Sequence, residues 1–280
     1  MVNWATLRVF LATWRVKLWD RLLAFLTLVT LVITLVGFFG LTAASVPRAN
    51  LAFLLVPAYL VWVGYKTVPQ FYLTPSAIVG RRLEMAELDK LLVKVFTVGL
   101  VGITDAGKTT FLDAVRHRKE PKRRTAAPYA VIVVLPDRNQ TKYIAIVDSV
   151  GQLFDNQFDV VRHSDLVCLF LDHNTSDTLP KSNSSRLNKQ REFVDQIART
   201  HEYETLGARS ILLLGNKSDL WSGTQATSVA MGKLLNHCEN RLSVGAGFQK
   251  VRRIDQFSNR MPDNIAQAMQ EIGNAVDGKF

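Results

Sequence analysis

The chain has 280 residues, 48% of them hydrophobic, and 34 Lys and Arg against 24 Asp and Glu give a formal net charge of +10. That length holds one domain of ordinary size plus a substantial extra segment, and the basic balance suits an anionic partner: nucleic acid, acidic lipid or an acidic protein surface. Two cysteines, Cys168 and Cys238, lie far apart and lack metal-ligand spacing, which speaks against a disulfide framework; Cys168, in the apolar run from Leu166 to Leu171, reads as a small buried hydrophobe.

Residues 1–21 interleave Trp4, Leu7, Phe10, Leu11, Trp14 and Leu18 with Arg8, Arg15 and Lys17. This is the pattern of a basic amphipathic helix lying on a membrane surface, or of a basic flank that sets topology. No charge occurs from Leu22 to Pro47, and the segment 22–44 is long enough to cross a bilayer as a helix. A signal peptide is the competing reading, although its apolar region would be shorter and the mature residues would then leave the cytosol. A second uncharged run, 49–65, is at the short end of spanning length, where a re-entrant segment competes with a full crossing. Pro57 is tolerated in such a helix, and Tyr59, Trp62 and Tyr65 suit an interface.

Arg8, Arg15, Lys17 and Arg21 precede this pair, and Lys66, Arg81 and Arg82 follow it, whereas the connecting loop holds only Arg48. Positive-inside bias therefore predicts a transmembrane hairpin in an integral membrane protein, with both termini cytoplasmic. Val2 excludes N-myristoylation, and the terminal Asp277-Gly278-Lys279-Phe280 is not a prenylation box.

Residues 66–92 read as a linker containing Pro69, Pro75 and Gly80 and ending in a short helical pattern. From residue 93 to 280 strands and helices alternate, which predicts an α/β domain with a mostly parallel sheet of six strands and helices on both faces. Expected strands are 93–101, 130–135, 143–148, 165–172, 210–215 and 250–254. Expected helices are 108–117, 190–201, 226–241 and 263–276. Pro136 to Gln140 is a hairpin-type turn. Asn174 to Asn188, rich in Ser and Asn, reads as a solvated loop without chemistry of its own.

Three motifs carry the chemistry. Gly102-Ile103-Thr104-Asp105-Ala106-Gly107-Lys108-Thr109 matches G-x-x-x-x-G-K-[ST] between an apolar strand and a helix. Glycines let successive backbone N–H groups face a phosphate, the helix N-terminus adds its dipole, Lys108 neutralises the β- and γ-phosphates, and the Thr109 hydroxyl is a Mg²⁺ ligand. Asp148-Ser149-Val150-Gly151-Gln152 follows a second apolar strand. There Asp148 reaches Mg²⁺, Gly151 offers an N–H to the γ-phosphate, and Gln152 can orient the attacking water. Asn216-Lys217-Ser218-Asp219 follows a third. The Asp219 carboxylate accepts from the N1–H and N2–H₂ edge of guanine, a donor pair that adenine lacks, and the Lys217 stem can cover the base.

Together these residues resemble the Ras superfamily of small GTPases over about residues 93–276. The loop Gly102-Ile103-Thr104-Asp105-Ala106-Gly107-Lys108-Thr109-Thr110 is most similar to the Arf, Sar and signal-recognition-particle-receptor-β branch. The resemblance implies a P-loop GTPase fold that binds GTP and GDP with Mg²⁺. It implies that Gly102, Thr104, Asp105, Ala106, Gly107, Lys108, Thr109, Thr110, Gly151, Asn216, Lys217 and Asp219 hold the nucleotide. It implies that Thr125 joins Thr109 and Asp148 on the metal, that Lys108 and Gln152 are catalytic, and that Ser258 in Phe257-Ser258-Asn259 lies under the base. A membrane-anchored switch that hydrolyses GTP slowly without a partner follows, with an effector or activating protein at the segments around Thr125 and Gln152. The alternative is a GTP-dependent membrane receptor or scaffold with little hydrolysis of its own. Thr104, where Ras proteins keep Gly, and the basic run Arg116 to Arg124 depart from the pattern. Either Arg123 or Arg124 could act as an arginine finger in cis, or the run could meet lipid or a partner. The basic residues cluster at the membrane flanks and in one loop that lacks aromatic interleaving, so no nucleic-acid partner is expected.

Overall fold

The computed structural model describes residues 74–280 except 90, 92, 118–126, 136–140, 152–153, 204–209 and 246–247. The basic segment 1–21 and the two apolar segments 22–44 and 49–65 lie outside the described residues. Among the described residues no helix is long and apolar enough to cross a membrane.

Residues 78–88 and 95–280 form one compact unit. Its sheet has strands β1 (Arg82–Glu84), β2 (Phe96–Val101), β3 (Tyr129–Leu135), β4 (Lys142–Asp148), β5 (Leu166–Leu171), β6 (Ser210–Gly215) and β7 (Lys250–Ile254) in the order β1-β3-β4-β2-β5-β6-β7. The five strands from β4 across to β7 run parallel, while β3 is antiparallel to both β1 and β4. The sheet is thus mostly parallel, with seven strands rather than the expected six. The added edge strand comes from residues read as linker: Leu83 is buried against β3, opposite Ala130, while Arg82 and Glu84 face solvent.

Buried on both faces, β5 and β6 are continuous apolar runs, the pattern that parallel strands require. The principal helices are α1 (Lys108–Val115), α2 (Phe154–Arg162), α3 (Ser184–Tyr203), α4 (Gln225–Asn240) and α5 (Pro262–Val276). Successive side chains of β2 point to opposite faces. Val98 and Leu100 join a core with Phe111 and Leu112 of α1 and Ala268 and Ile272 of α5. Gly99 faces the other way, with Val160 of α2 and Ser164 close against it.

Because β2, β4, β5, β6 and β7 are parallel, the loops after all five open on the same edge of the sheet. Ligands of open α/β sheets bind at this carboxyl edge. Beneath it Phe111, Phe170 and Phe257 form a fully buried triangle with ring centroids 5.5, 6.0 and 6.1 Å apart. The three rings belong to α1, β5 and the segment after β7, so one cluster supports three of the loops. Phe170→Ala is expected to cost about 3–5 kcal/mol of unfolding free energy, as buried Phe truncations do. Urea unfolding monitored by circular dichroism measures this, and a loss below about 1 kcal/mol would contradict the support role.

Candidate functional site

The loop between β2 and α1 carries the first motif. Gly107 caps α1 with φ 100°, where a Cβ would collide with the side-chain amides of Asn216 and Asn259. Asp105 takes the left-handed conformation without being glycine, at φ 62°. The Gly102 N–H is held by Gln157 Oε1 of α2 at 2.8 Å, and the Gln157 amide leans back toward the Gly151 carbonyl at 3.4 Å. Gln157 is fully buried, so one side chain links the first glycine of the first motif to the glycine of the second.

Lys108 is buried at the start of α1, and its ammonium donates to the Gly102 carbonyl at 2.6 Å and the Ile103 carbonyl at 3.2 Å. Thr109 Oγ1 donates to Asp148 Oδ2 at 2.6 Å. Asp148 is fully buried at the end of β4, in register with Leu100 of β2. Thr110, in the same first turn of α1, is exposed. Gly151 comes so close that a Cβ there would lie 2.8 Å from Thr104 N and Cα and 3.0 Å from Lys108 Nζ. The second motif therefore meets the first at the spot where only glycine fits.

At the end of β6, Asn216 donates its side-chain amide to the Ala106 carbonyl at 2.6 Å, and its own N–H to the Leu171 carbonyl at 2.7 Å. Lys217, left-handed at φ 62°, places its ammonium 3.1 Å from Asp172 Oδ2 and within 2.9–3.3 Å of the carbonyls of Asn174, Thr175 and Ser176. Asp219 accepts from Ser258 Oγ at 2.7 Å and from Arg260 Nη1 at 3.2 Å. Asn259 reaches back to the Gly107 carbonyl at 2.8 Å. The Oδ1 atoms of Asn216 and Asn259 are buried and accept no hydrogen bond among the described residues.

The structure thus gathers Gly102, Thr104, Asp105, Ala106, Gly107, Lys108, Thr109, Thr110, Asp148, Gly151, Asn216, Lys217, Asp219 and Ser258 on one edge of the sheet. Gln152 and Thr125 lie outside the described residues, as do Arg123 and Arg124. Arg116, read as the first residue of a basic loop, instead folds back with its side chain buried and donates to the Gly80 carbonyl at 2.8 Å. The stretch Asn174 to Asn188 corrects its sequence reading more strongly. Its first three carbonyls hold Lys217, and Arg186 near its end is buried against Asp172 and the Thr104 carbonyl of the β2–α1 loop. Both cysteines are buried free thiols.

The donor set suits a hard cation. Thr109 and Asp148 offer two oxygens side by side next to the Lys108 ammonium, and Mg²⁺ takes one or two protein oxygens, filling its octahedron with substrate phosphates and water. Among the described residues no group of three or more His, Cys, Asp and Glu side chains forms a closed metal cage.

No protein-family profile matches the chain, and no curated protein sequence matches it. Solved structures with a similar chain trace include two mutation variants of SsGBP, each 18% identical, covering 64% of this chain and 56% and 55% of theirs, at TM-scores of 0.42 and 0.44. Another is translation elongation factor SelB from Methanococcus maripaludis in complex with the GTP analogue GppNHp, 13% identical, covering 65% of this chain and 34% of that one, at a TM-score of 0.45. The chain spans about half the length of the SsGBP chains and about a third of SelB. Likeness at this level says nothing about ligand or activity.

Burial lowers the Lys108 ammonium from 10.5 to about 8, outweighing the attraction of Asp148 and Asp172. Between about pH 8 and 10.5 the unfolded chain therefore binds more protons at this site than the folded one, so the ligand-free protein gains stability as pH rises across that window. Lys108→Met removes the contribution. Thermal melts of the ligand-free proteins are expected to favour the Met variant most at pH 7, with the gap closing toward pH 10. A gap that is constant with pH would contradict the burial cost.

Proposed function

We propose that the chain is a membrane-anchored, guanine-nucleotide-binding P-loop protein of the Ras-like kind. One observation carries the reading: Asn216 and Asn259, 110 and 152 residues from their partners, fasten the base motif to the carbonyls of Ala106 and Gly107. The phosphate loop and the guanine-reading motif are thereby parts of one site. In that site the backbone N–H groups of the loop and the Lys108 ammonium receive the phosphates, exchanging the Gly102 and Ile103 carbonyls for anionic oxygens. Thr109 and Asp148 hold Mg²⁺, which when bound neutralises charge on the β- and γ-phosphate oxygens. Asp219 reads guanine with Ser258 fixing its carboxylate, and Lys217 flanks the base.

Hydrolysis by water is the proposed reaction, with Gln152 orienting the nucleophile and Thr125 completing the metal shell on the triphosphate. Movement of these two segments between GTP and GDP states is the proposed switch, read by an effector or activating protein. The receptor or scaffold reading draws support from Thr104, a side chain where Ras proteins keep Gly, whose backbone leaves no room for a Cβ at Gly151. The Arf, Sar and receptor-β likeness of the loop belongs to the same proposal.

Competition binding with a fluorescent GDP tests the ligand. GTP and GDP are expected to displace it and ATP to fail, because adenine offers the Asp219 carboxylate no N1–H and N2–H₂ donor pair; Asp219→Ala is expected to weaken GDP binding by a factor of about 100 or more. Equal displacement by ATP would overturn the guanine assignment. The uncharged runs 22–44 and 49–65 and the basic residues on their outer flanks support a hairpin with both termini in the cytosol. The protein is expected to stay in the membrane pellet after alkaline carbonate extraction, and complete release would remove the anchor.

A further inference from the structure

Among the described residues, Arg186 is the buried cation at the site that the GTP-binding reading leaves without a role. Its position begins with Asn183, whose Oδ1 accepts the Arg186 N–H at 3.1 Å and so caps α3, while the Asn183 N–H closes the preceding loop on the His173 carbonyl at 2.8 Å. The cap sets Arg186 in the first turn of the helix, facing Asp172. Asp172 is immobilised in turn: Gln190 accepts its N–H at 2.8 Å and donates to its carbonyl at 2.6 Å. The Arg186 guanidinium forks onto the Asp172 carboxylate, Nε to Oδ1 at 2.5 Å and Nη2 to Oδ2 at 2.8 Å, and Nη2 also donates to the Thr104 carbonyl at 2.8 Å.

That carbonyl belongs to the peptide between Thr104 and Asp105, and Asp105 is the residue held left-handed at φ 62°. In a trans peptide the carbonyl and the following N–H point in opposite directions. A guanidinium holding the Thr104 oxygen therefore turns the Asp105 N–H away from Arg186, and among the described residues that N–H makes no hydrogen bond. An L side chain in this conformation works against the arrangement. The hydrogen bond from Arg186 to the Thr104 oxygen opposes a flip of this peptide.

We propose that Arg186 is a positioning residue that locks the Thr104–Asp105 peptide with its N–H facing the phosphates, so that the loop is set for anion binding before the nucleotide arrives. This rests on the reading of the site as a guanine-nucleotide site. Because Lys217 Nζ shares Asp172 Oδ2 with Arg186, the same carboxylate also ties the lock to the base motif. Arg186 itself touches neither ligand nor metal in this scheme. Its effect on binding passes through the Asp105 N–H.

The test compares the full chain with Arg186→Lys, Asp105→Gly and the double variant, in equilibrium titrations with GDP and a non-hydrolysable GTP analogue in Mg²⁺. Lys keeps a positive charge beside Asp172 but cannot fork onto the carboxylate and reach Thr104 together. Arg186→Lys is expected to weaken binding of the analogue by about tenfold or more, the scale of one lost charge-assisted hydrogen bond. Asp105→Gly, by removing the left-handed penalty, is expected to restore most of that loss in the double variant. A purely structural role for Arg186 would make the effects of the two substitutions additive, with Asp105→Gly changing affinity equally in the presence of Arg186 and of Lys at that position. Arg186→Lys binding as tightly as wild type, or a loss that Gly at 105 leaves untouched, overturns the lock alone. Wild-type protein that binds no guanine nucleotide overturns the reading of the site beneath it. Should Arg186→Lys not fold, Arg186→Met combined with Asp172→Asn removes both charges together, and wild-type affinity in that variant equally overturns the lock.

Discussion

Two side-chain amides hold this site together. Asn216 and Asn259 each donate to a carbonyl of the phosphate loop, at Ala106 and Gly107, and Gly107 has no room for a Cβ because both amides press on it. The loop after β2, the motif after β6 and the turn after β7 thus share one set of contacts. Their backbones converge because β2, β6 and β7 run parallel and end on the same edge. A parallel sheet makes the edge, and the two amides make the edge into a site.

Electrostatics follow from the same geometry. Lys108, Arg186 and Lys217 bring three buried positive charges to the carboxyl edge, and Asp148 and Asp172, both fully buried, answer them. Asp172 is committed to Arg186 and Lys217. Asp148 meets the Thr109 hydroxyl, and Lys108 rests on backbone carbonyls that an anion can replace. Lys108 is thus the cation held by backbone carbonyls rather than by a paired carboxylate, and its lowered pKa of about 8 follows from the burial of its ammonium. A polyanion relieves the cost of that burial, which couples nucleotide binding to the stability of the loop.

Much of this geometry was legible in the sequence because the three motifs are contiguous residues at fixed spacing, each directly after an apolar strand. Runs such as Leu166 to Leu171 and Ile211 to Leu214 also announce buried parallel strands by composition alone. What stayed hidden depends on contacts across long separations. Arg186 sits in a Ser- and Asn-rich stretch that reads as solvent-exposed, 82 residues from the Thr104 carbonyl it holds. Gln157 lies on α2, a nine-residue helix whose apolar residues mark one face but whose polar residues announce no partner, yet its amide joins Gly102 to Gly151. Strand β1 has three residues and one buried side chain, too little for a period-two pattern. Ser258 carried only a weak motif, and its contact with Asp219 comes from the approach of the β7 turn to the β6 loop.

The central claim is that the phosphate loop and the guanine motif form one site. Hydrogen–deuterium exchange of the full-length protein with Mg²⁺, with and without GDP, tests it most directly. The account predicts that GDP slows exchange together in residues 102–110, 216–219 and 257–260, and that ADP at the same concentration slows none of them. Protection of residues 102–110 alone, or equal protection by ADP, would contradict it.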